Sequence, residues 1–264
     1  MYEFNVHKPG SVADAASALK GADDGKFMAG GQTLIPTLKQ RLASPSDVID
    51  LGNVAELKGI SDEGGAVKIG AMTTHAEVAS SDVVTSQIPA LAHLAGHIGD
   101  PQVRNRGTIG GSIANADPAA DYPAAIVGLN ATVHTNQRSI VADDFFTGMF
   151  ETALNEDEIV TAVSFPKPEK AGYQKFPNPA SRYAIVGVMV AQTGGQTRVA
   201  VTGAGPSVFR SSDAESALAS NFSADALSGL AVSSADLNSD IHASADYRAH
   251  LVGVMAKRAV AAAT

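Results

Sequence analysis

Apolar residues in this chain come in short, punctuated groups, and their rhythm changes twice. The first fifty positions alternate between strand and helix. Phe4 and Val6 open a strand that Pro9–Gly10 ends. Ser11 with Asp14 resembles a capping box ahead of Val12, Ala15, Ala16 and Leu19 at helical spacing. Lys26–Ala29 reads as a second strand running into Gly30–Gly31. Leu34, Leu38 and Leu42 then mark one face of a helix that carries Pro36 in its first turn.

From Val48 to about Pro166 the pattern becomes short strands broken by turns and helices. Val67–Ile69 and Ala131–Thr135 read as strands, Thr74 with Glu77 as a further capping box, and Ile88–Ile98 and Asp121–Leu129 as helices. Pro166, Pro168, Pro177 and Pro179 mark a boundary. Beyond it, Ala184–Ala191 and Arg198–Val201 alternate as a hairpin across Gly194–Gly195. From about Ser212 the chain is rich in Ala, Ser and Leu at helical spacing, with a last helix around Tyr247–Ala262. The pattern describes an α+β protein whose end forms a separate small α+β domain.

Composition narrows the chemistry. The 264 residues, 45% hydrophobic and 17% charged, suffice for one large or two small globular units. A net charge of −8 with no basic stripe argues against nucleic acid as a partner. No apolar run approaches the roughly 20 residues that span a bilayer, and the first residues lack a secretory pattern. A cytoplasmic protein is therefore expected. There is no cysteine, which removes disulfides, thiol nucleophiles and cysteine-held zinc or iron–sulfur sites. Redox chemistry would need an organic cofactor or a partner chain.

Two segments share one design: Ala29-Gly30-Gly31-Gln32-Thr33, followed by Leu34, and Thr108-Ile109-Gly110-Gly111-Ser112. Adjacent glycines tolerate positive φ and let backbone N–H groups approach an anion closely. Thr33 and Ser112 add hydroxyls. Neither segment is GxGxxG or GxxxxGK[ST], so the pair suits a diphosphate held from two sides without a Rossmann or P-loop reading.

At this point the chain resembles a known family, the flavin-carrying medium subunits of the carbon monoxide dehydrogenase and xanthine dehydrogenase type of molybdenum hydroxylase. The resemblance is carried by AGGQTLIP at 29–36, GDPQVRNRGTIGGSIANADPAAD at 99–121 and FFTGMF at 145–150. It continues through DEIVTAVSFP at 157–166, YQKFPNPASRYAIVGV at 173–188 and ADYRAHLVGVMAKRA at 245–259. It implies a vanillyl-alcohol-oxidase/PCMH-type FAD-binding domain over 1–168, in subdomains of about 1–55 and 56–168, and a C-terminal domain over 169–264. It implies FAD as cofactor, with the two glycine loops on its diphosphate and Asp121 as a carboxylate contacting it. It further implies that Ile98 and Val160 flank the isoalloxazine and that Lys175 lies near the flavin.

By the same resemblance the chain is an electron-transfer subunit. Its partners are an iron–sulfur small subunit with 2Fe–2S clusters, a large subunit with the molybdenum cofactor, and an external acceptor. Gln32 stands where relatives often have His or Asn, and Ile98 where some have Phe. No histidine lies in either glycine loop, so histidine-linked flavin is not expected. The alternatives are a free-standing FAD-dependent oxidoreductase of the same fold and a non-catalytic nucleotide-binding or scaffold protein.

Other residues keep open readings. His93 and His97 stand four apart, a zinc-compatible spacing with no third ligand nearby in sequence. Asp117 precedes Pro118 and reads as a turn residue. Asp143–Asp144 reads as a solvated turn that starts a helix. Arg104 and Arg106 flank the second loop, either to reach phosphate or to anchor the loop to neighbouring carboxylates.

Overall fold

The computed structural model describes all 264 residues. The opening strand–helix alternation folds as expected into a small parallel sheet. Its strands are Asn5–His7, Gly25–Met28 and Asp47–Asp50, with the last in the middle. Parallel neighbours need crossover connections, and the helices Val12–Lys20 and Leu34–Lys39 supply them. Ser11 caps the first helix by accepting the Asp14 N–H.

The second helix is shorter than its leucine spacing suggests. It ends at Lys39, Arg41 turns into the left-handed region at φ 60°, and the Leu42 N–H returns to the Thr37 carbonyl. Leu42 is consequently exposed. The helix stops because its C-terminal carbonyls are satisfied by this closed turn rather than by a further helical turn.

The second unit is an antiparallel sheet of five strands, in the order Ile60–Asp62, Ala66–Gly70, Val160–Pro166, Thr132–Thr135 and Ser139–Val141. Helices including Pro89–Gly96, Ile109–Asn115 and Tyr122–Gly128 pack with it around the largest core, built on Leu91, Leu94, Ile109, Ile126, Val163 and Phe165. Thr74 and Glu77 form the capping box in full at the start of the helix His75–Ser80. The two units are fastened by shared apolar burial, since Met72 and Ile159 join Ile49, Leu51 and Leu57 in the first unit's core.

The C-terminal sheet runs Lys170–Pro177, Ala184–Thr193, Gln196–Thr202 and Phe209–Arg210, all antiparallel. The hairpin turn is at Gly194–Gly195, both at positive φ. The strand Ala184–Thr193 is not half-exposed as an alternating pattern implies: its first eight residues are all buried. Val186, Val188 and Val190 face the helices Ser212–Ser220 and Ala245–Ala261, whereas Met189 and Ala191 join the core of the five-stranded unit. The end of the chain thus has its own core and also shares one with its neighbour. Asp143 is likewise no free turn residue, because Arg198 grips it through two hydrogen bonds of 2.8 and 2.9 Å and Arg210 adds a third.

Candidate cofactor cleft

A cleft of about 610 Å³ opens where the three units meet, within the size range of cofactor pockets. The first unit contributes Lys26, Phe27 and the run from Ala29 to Leu34. The second contributes His75, Ile98, Thr108, Gly110, Gly111, Ser112, Asn115, Asp117, Asp121 and Val160. Ser181, Arg182 and Tyr183 reach it from the C-terminal sheet's first connection. Two of the residues that the resemblance assigns to the cofactor lie elsewhere. Ile109 is fully buried in the core, and Lys175 stands behind the lining.

The first glycine loop is held open to the cleft by its backbone. Gly31 adopts φ 71°, a conformation that L side chains rarely take. Gly30 is required for a different reason: a Cβ there would fall on the Arg106 carbonyl. The N–H groups of Gly30, Gly31, Gln32 and Thr33 find no acceptor in the protein. Such a run of unpaired donors around one left-handed residue has the geometry of an anion-binding nest. The Thr33 hydroxyl makes no capping bond.

The second loop is built differently from the sequence expectation. Its glycines have no positive φ and lie in the first turn of the helix Ile109–Asn115. Every backbone donor from 109 to 112 is already used. Ile109 donates to the Thr73 carbonyl, Gly110 to Ala71, Gly111 to the Thr108 hydroxyl and Ser112 to the Thr108 carbonyl, all at 2.9–3.1 Å. The glycines serve close approach instead. A Cβ at Gly110 would come within 2.6 Å of the Ala71 Cβ, and one at Gly111 within 3.2 Å of the Ala29 Cβ. The second loop therefore supports the first from beneath and offers the cleft side chains, not backbone N–H groups.

Asp121 sits at the floor, buried, with both oxygens engaged. The Tyr173 hydroxyl donates to Oδ1 at 2.6 Å, and Lys175 Nζ lies 2.9 Å from Oδ1 and 3.0 Å from Oδ2. Lys175 also donates to the His97 carbonyl at 2.8 Å. Burial pushes the Asp121 carboxyl up, against the pull of Lys175 and Tyr173. Burial, then the nearby Asp121 charge, holds the Tyr173 phenol well above its usual range, so it stays a donor. Lys175 thus holds Asp121 from behind the lining.

Arg104 takes neither expected role, since its guanidinium donates to the Ile98 and Gly99 carbonyls at 3.0 and 3.2 Å. It fixes the backbone that presents Ile98. Asp117 makes a local turn by accepting the Ala119 N–H, and burial raises its carboxyl. His97 Nδ1 is bonded to the His93 carbonyl, with the two rings 4.2 Å apart, so the pair closes on itself. Glu158 is pulled down to about 2, first by Arg138 and further by the Thr135 hydroxyl and the Asn155 N–H.

Sequence reasoning missed Lys26, His75 and Asn115. Only one signal touched any of them: His75 follows the Thr74 capping residue, but nothing local says that Thr74 bridges to Thr108.

The donor set fits a dinucleotide. Consecutive unpaired N–H groups suit phosphate oxygens, and a cleft with apolar walls at Ile98, Leu154 and Val160 suits a flat ring. Comparisons with known proteins agree. Residues 2–168 match the family model described as the FAD binding domain in molybdopterin dehydrogenase. Residues 171–263 match the CO dehydrogenase flavoprotein C-terminal domain.

The chain is 40% identical over 266 residues to the nicotine 6-hydroxylase medium subunit of Paenarthrobacter nicotinovorans, covering 96% of this chain and 94% of that one. It is 35% identical to the carbon monoxide dehydrogenase medium chain of Hydrogenophaga pseudoflava, covering 98% and 96%. Among solved structures, the cyanide-inactivated Cu,Mo-CO dehydrogenase superposes with a TM-score of 0.90 at 34% identity, over 99% of this chain and 98% of that one. The fold, its cleft and these matches together establish that the chain belongs to the family of FAD-binding medium subunits of molybdenum hydroxylases.

Proposed function

We propose that this chain relays electrons in a cytoplasmic heterotrimer, receiving them from an iron–sulfur small subunit fed by a molybdopterin large subunit and passing them to an external acceptor. The observation that carries this reading is the nest of four unpaired N–H groups at Gly30–Thr33, pressed against a second glycine turn. Bound FAD supplies storage for two electrons with exchange of one at a time.

The protein's part is to hold and orient. Gly30–Thr33 take the diphosphate, and the Ser112 hydroxyl adds a donor from the adjoining second loop. Ile98 and Val160 confine the ring from its apolar sides. Asp121, held by Tyr173 and Lys175, presents an oriented carboxyl group. Arg182 lines the same cleft and lowers the cost of a doubly charged diphosphate in an acidic protein.

The test has two parts. Flavin released by denaturing the purified protein is expected to be FAD, and FMN as the main species would remove the diphosphate reading. Affinity purification from the source cells is expected to bring down a cluster-bearing and a molybdopterin-bearing chain; recovery of the flavoprotein alone, with full activity on an organic substrate, would overturn the subunit reading.

A further inference from the structure

The second glycine loop has spent its backbone donors within the protein, so donors on that wall must come from side chains. His75 lies there. It opens the helix His75–Ser80, its N–H donates to the Gly107 carbonyl at 2.9 Å, and its ring lies over Gly107, where a Cβ would come within 2.5 Å of Nε2. The imidazole is buried yet lines the cleft. Neither ring nitrogen has a hydrogen-bonding partner, and Nδ1 is the one sealed inside. An unpartnered buried polar group is costly, and functional sites are where such groups persist.

A second orphan lies beside it. The Tyr122 hydroxyl is fully buried without a partner, and its ring centroid is 5.4 Å from that of His75. Burial, followed by the Asp121 charge, keeps this phenol protonated. Burial and the Arg104 guanidinium bring the His75 imidazole down to about 4, so it is neutral near pH 7. A neutral imidazole has one N–H and one lone pair, and which nitrogen carries the proton depends on the partner of the other.

We propose that His75 is a cofactor-contacting residue that donates Nε2–H to an oxygen of the diphosphate–ribityl part of FAD, while the Tyr122 hydroxyl, through one trapped water, donates to Nδ1 and fixes that tautomer. This rests on the flavin reading above. Tyr122 acts only as a positioning residue.

The experiment titrates the full-length chain with FAD and records side-chain nitrogen resonances of labelled histidine. His75 is expected in the Nε2–H form, with its Nε2 signal moving when FAD binds. His75→Phe keeps the ring and removes the donor; FAD binding is expected to weaken about three- to tenfold, the range of one neutral hydrogen bond. Tyr122→Phe is expected to leave the fold intact, mix the two His75 tautomers and weaken FAD binding by a smaller factor. If His75→Phe fails to fold, the wild-type and Tyr122→Phe spectra decide alone. Unchanged FAD affinity in folded His75→Phe, an Nδ1–H tautomer, or a His75 signal indifferent to FAD overturns the proposal while leaving the flavin reading in place. A wild-type chain that binds no FAD at all removes the flavin reading itself.

Discussion

Lys175 and Asp121, 54 positions apart, form an ion pair of 2.9 Å with side chains that are each about 5% exposed or less. The pair joins the first strand of the C-terminal sheet to the start of the helix Tyr122–Gly128. It therefore fixes the floor of the cleft and the seam between two units with one contact. Removing the lysine alone leaves a buried carboxylate with only Tyr173 to satisfy it. Lys175→Met should cost about 3–5 kcal/mol in chemical denaturation, as for other broken buried pairs. The double variant Lys175→Met/Asp121→Asn should recover part of that loss. Strict additivity of the two single changes would show that the pair is not coupled.

The glycines divide by what a Cβ would strike. Gly30→Ala puts a methyl into the Arg106 carbonyl, a backbone atom that cannot swing away, so the two loops must part. Flavin content, read as the flavin-to-protein absorbance ratio, should fall to near zero. At Gly111 the neighbours are the Thr108 hydroxyl at 3.0 Å and the Ala29 Cβ at 3.2 Å. Gly111→Ala should therefore retain much of its flavin, and Gly111→Val little, with the cost set by crowding rather than by φ. Equal retention in Gly30→Ala and Gly111→Ala would refute this ordering.

Acid should act in two windows. His75 has a folded pKa of about 4 against an ordinary 6.5, so between these values the unfolded chain takes up a proton that the folded chain does not. Stability is then lost as pH falls from about 6.5 to 4, by up to about 3 kcal/mol. Glu158 has its pKa lowered from 4.5 to about 2, so its contribution is present above 4.5 and fades below it. Urea midpoints compared at pH 7 and pH 4.5 should shift less in His75→Phe than in the wild type. An identical shift in both would exclude His75 as the source.

The isolated chain should not oxidise an organic substrate at a rate comparable with that of an assembled complex. Adding cluster-bearing and molybdopterin-bearing partners should restore turnover of the complex's substrate, assayed with an artificial electron acceptor. Robust turnover by the chain alone would favour a free-standing flavoenzyme.

Much of the fold was readable because its signals are local. Ser11 and Thr74 cap helices within three residues of themselves, and Gly194–Gly195 turns a hairpin from its own φ preference. The turn at Gly30–Gly31 follows the same rule, since Gly31 takes the left-handed conformation. Less legible were positions whose surroundings come from a distant part of the chain. Gly110 packs against Ala71, and Lys175 is bonded to Asp121 and the His97 carbonyl.

By itself, then, the sequence determined which segments become strands, helices and turns, and where adjacent glycines fall. Capping, φ preference and apolar periodicity act over a few residues, and these residues hold that information themselves. Only the tertiary structure decided which of the two loops keeps its N–H groups free. A backbone donor becomes available or spent according to which carbonyl lies beside it, and the carbonyls of Ala71 and Thr73, nearly forty residues away in the chain, occupy the second loop's donors at Ile109 and Gly110. No comparable strand end reaches Gly30–Thr33, and there the N–H groups remain unpaired.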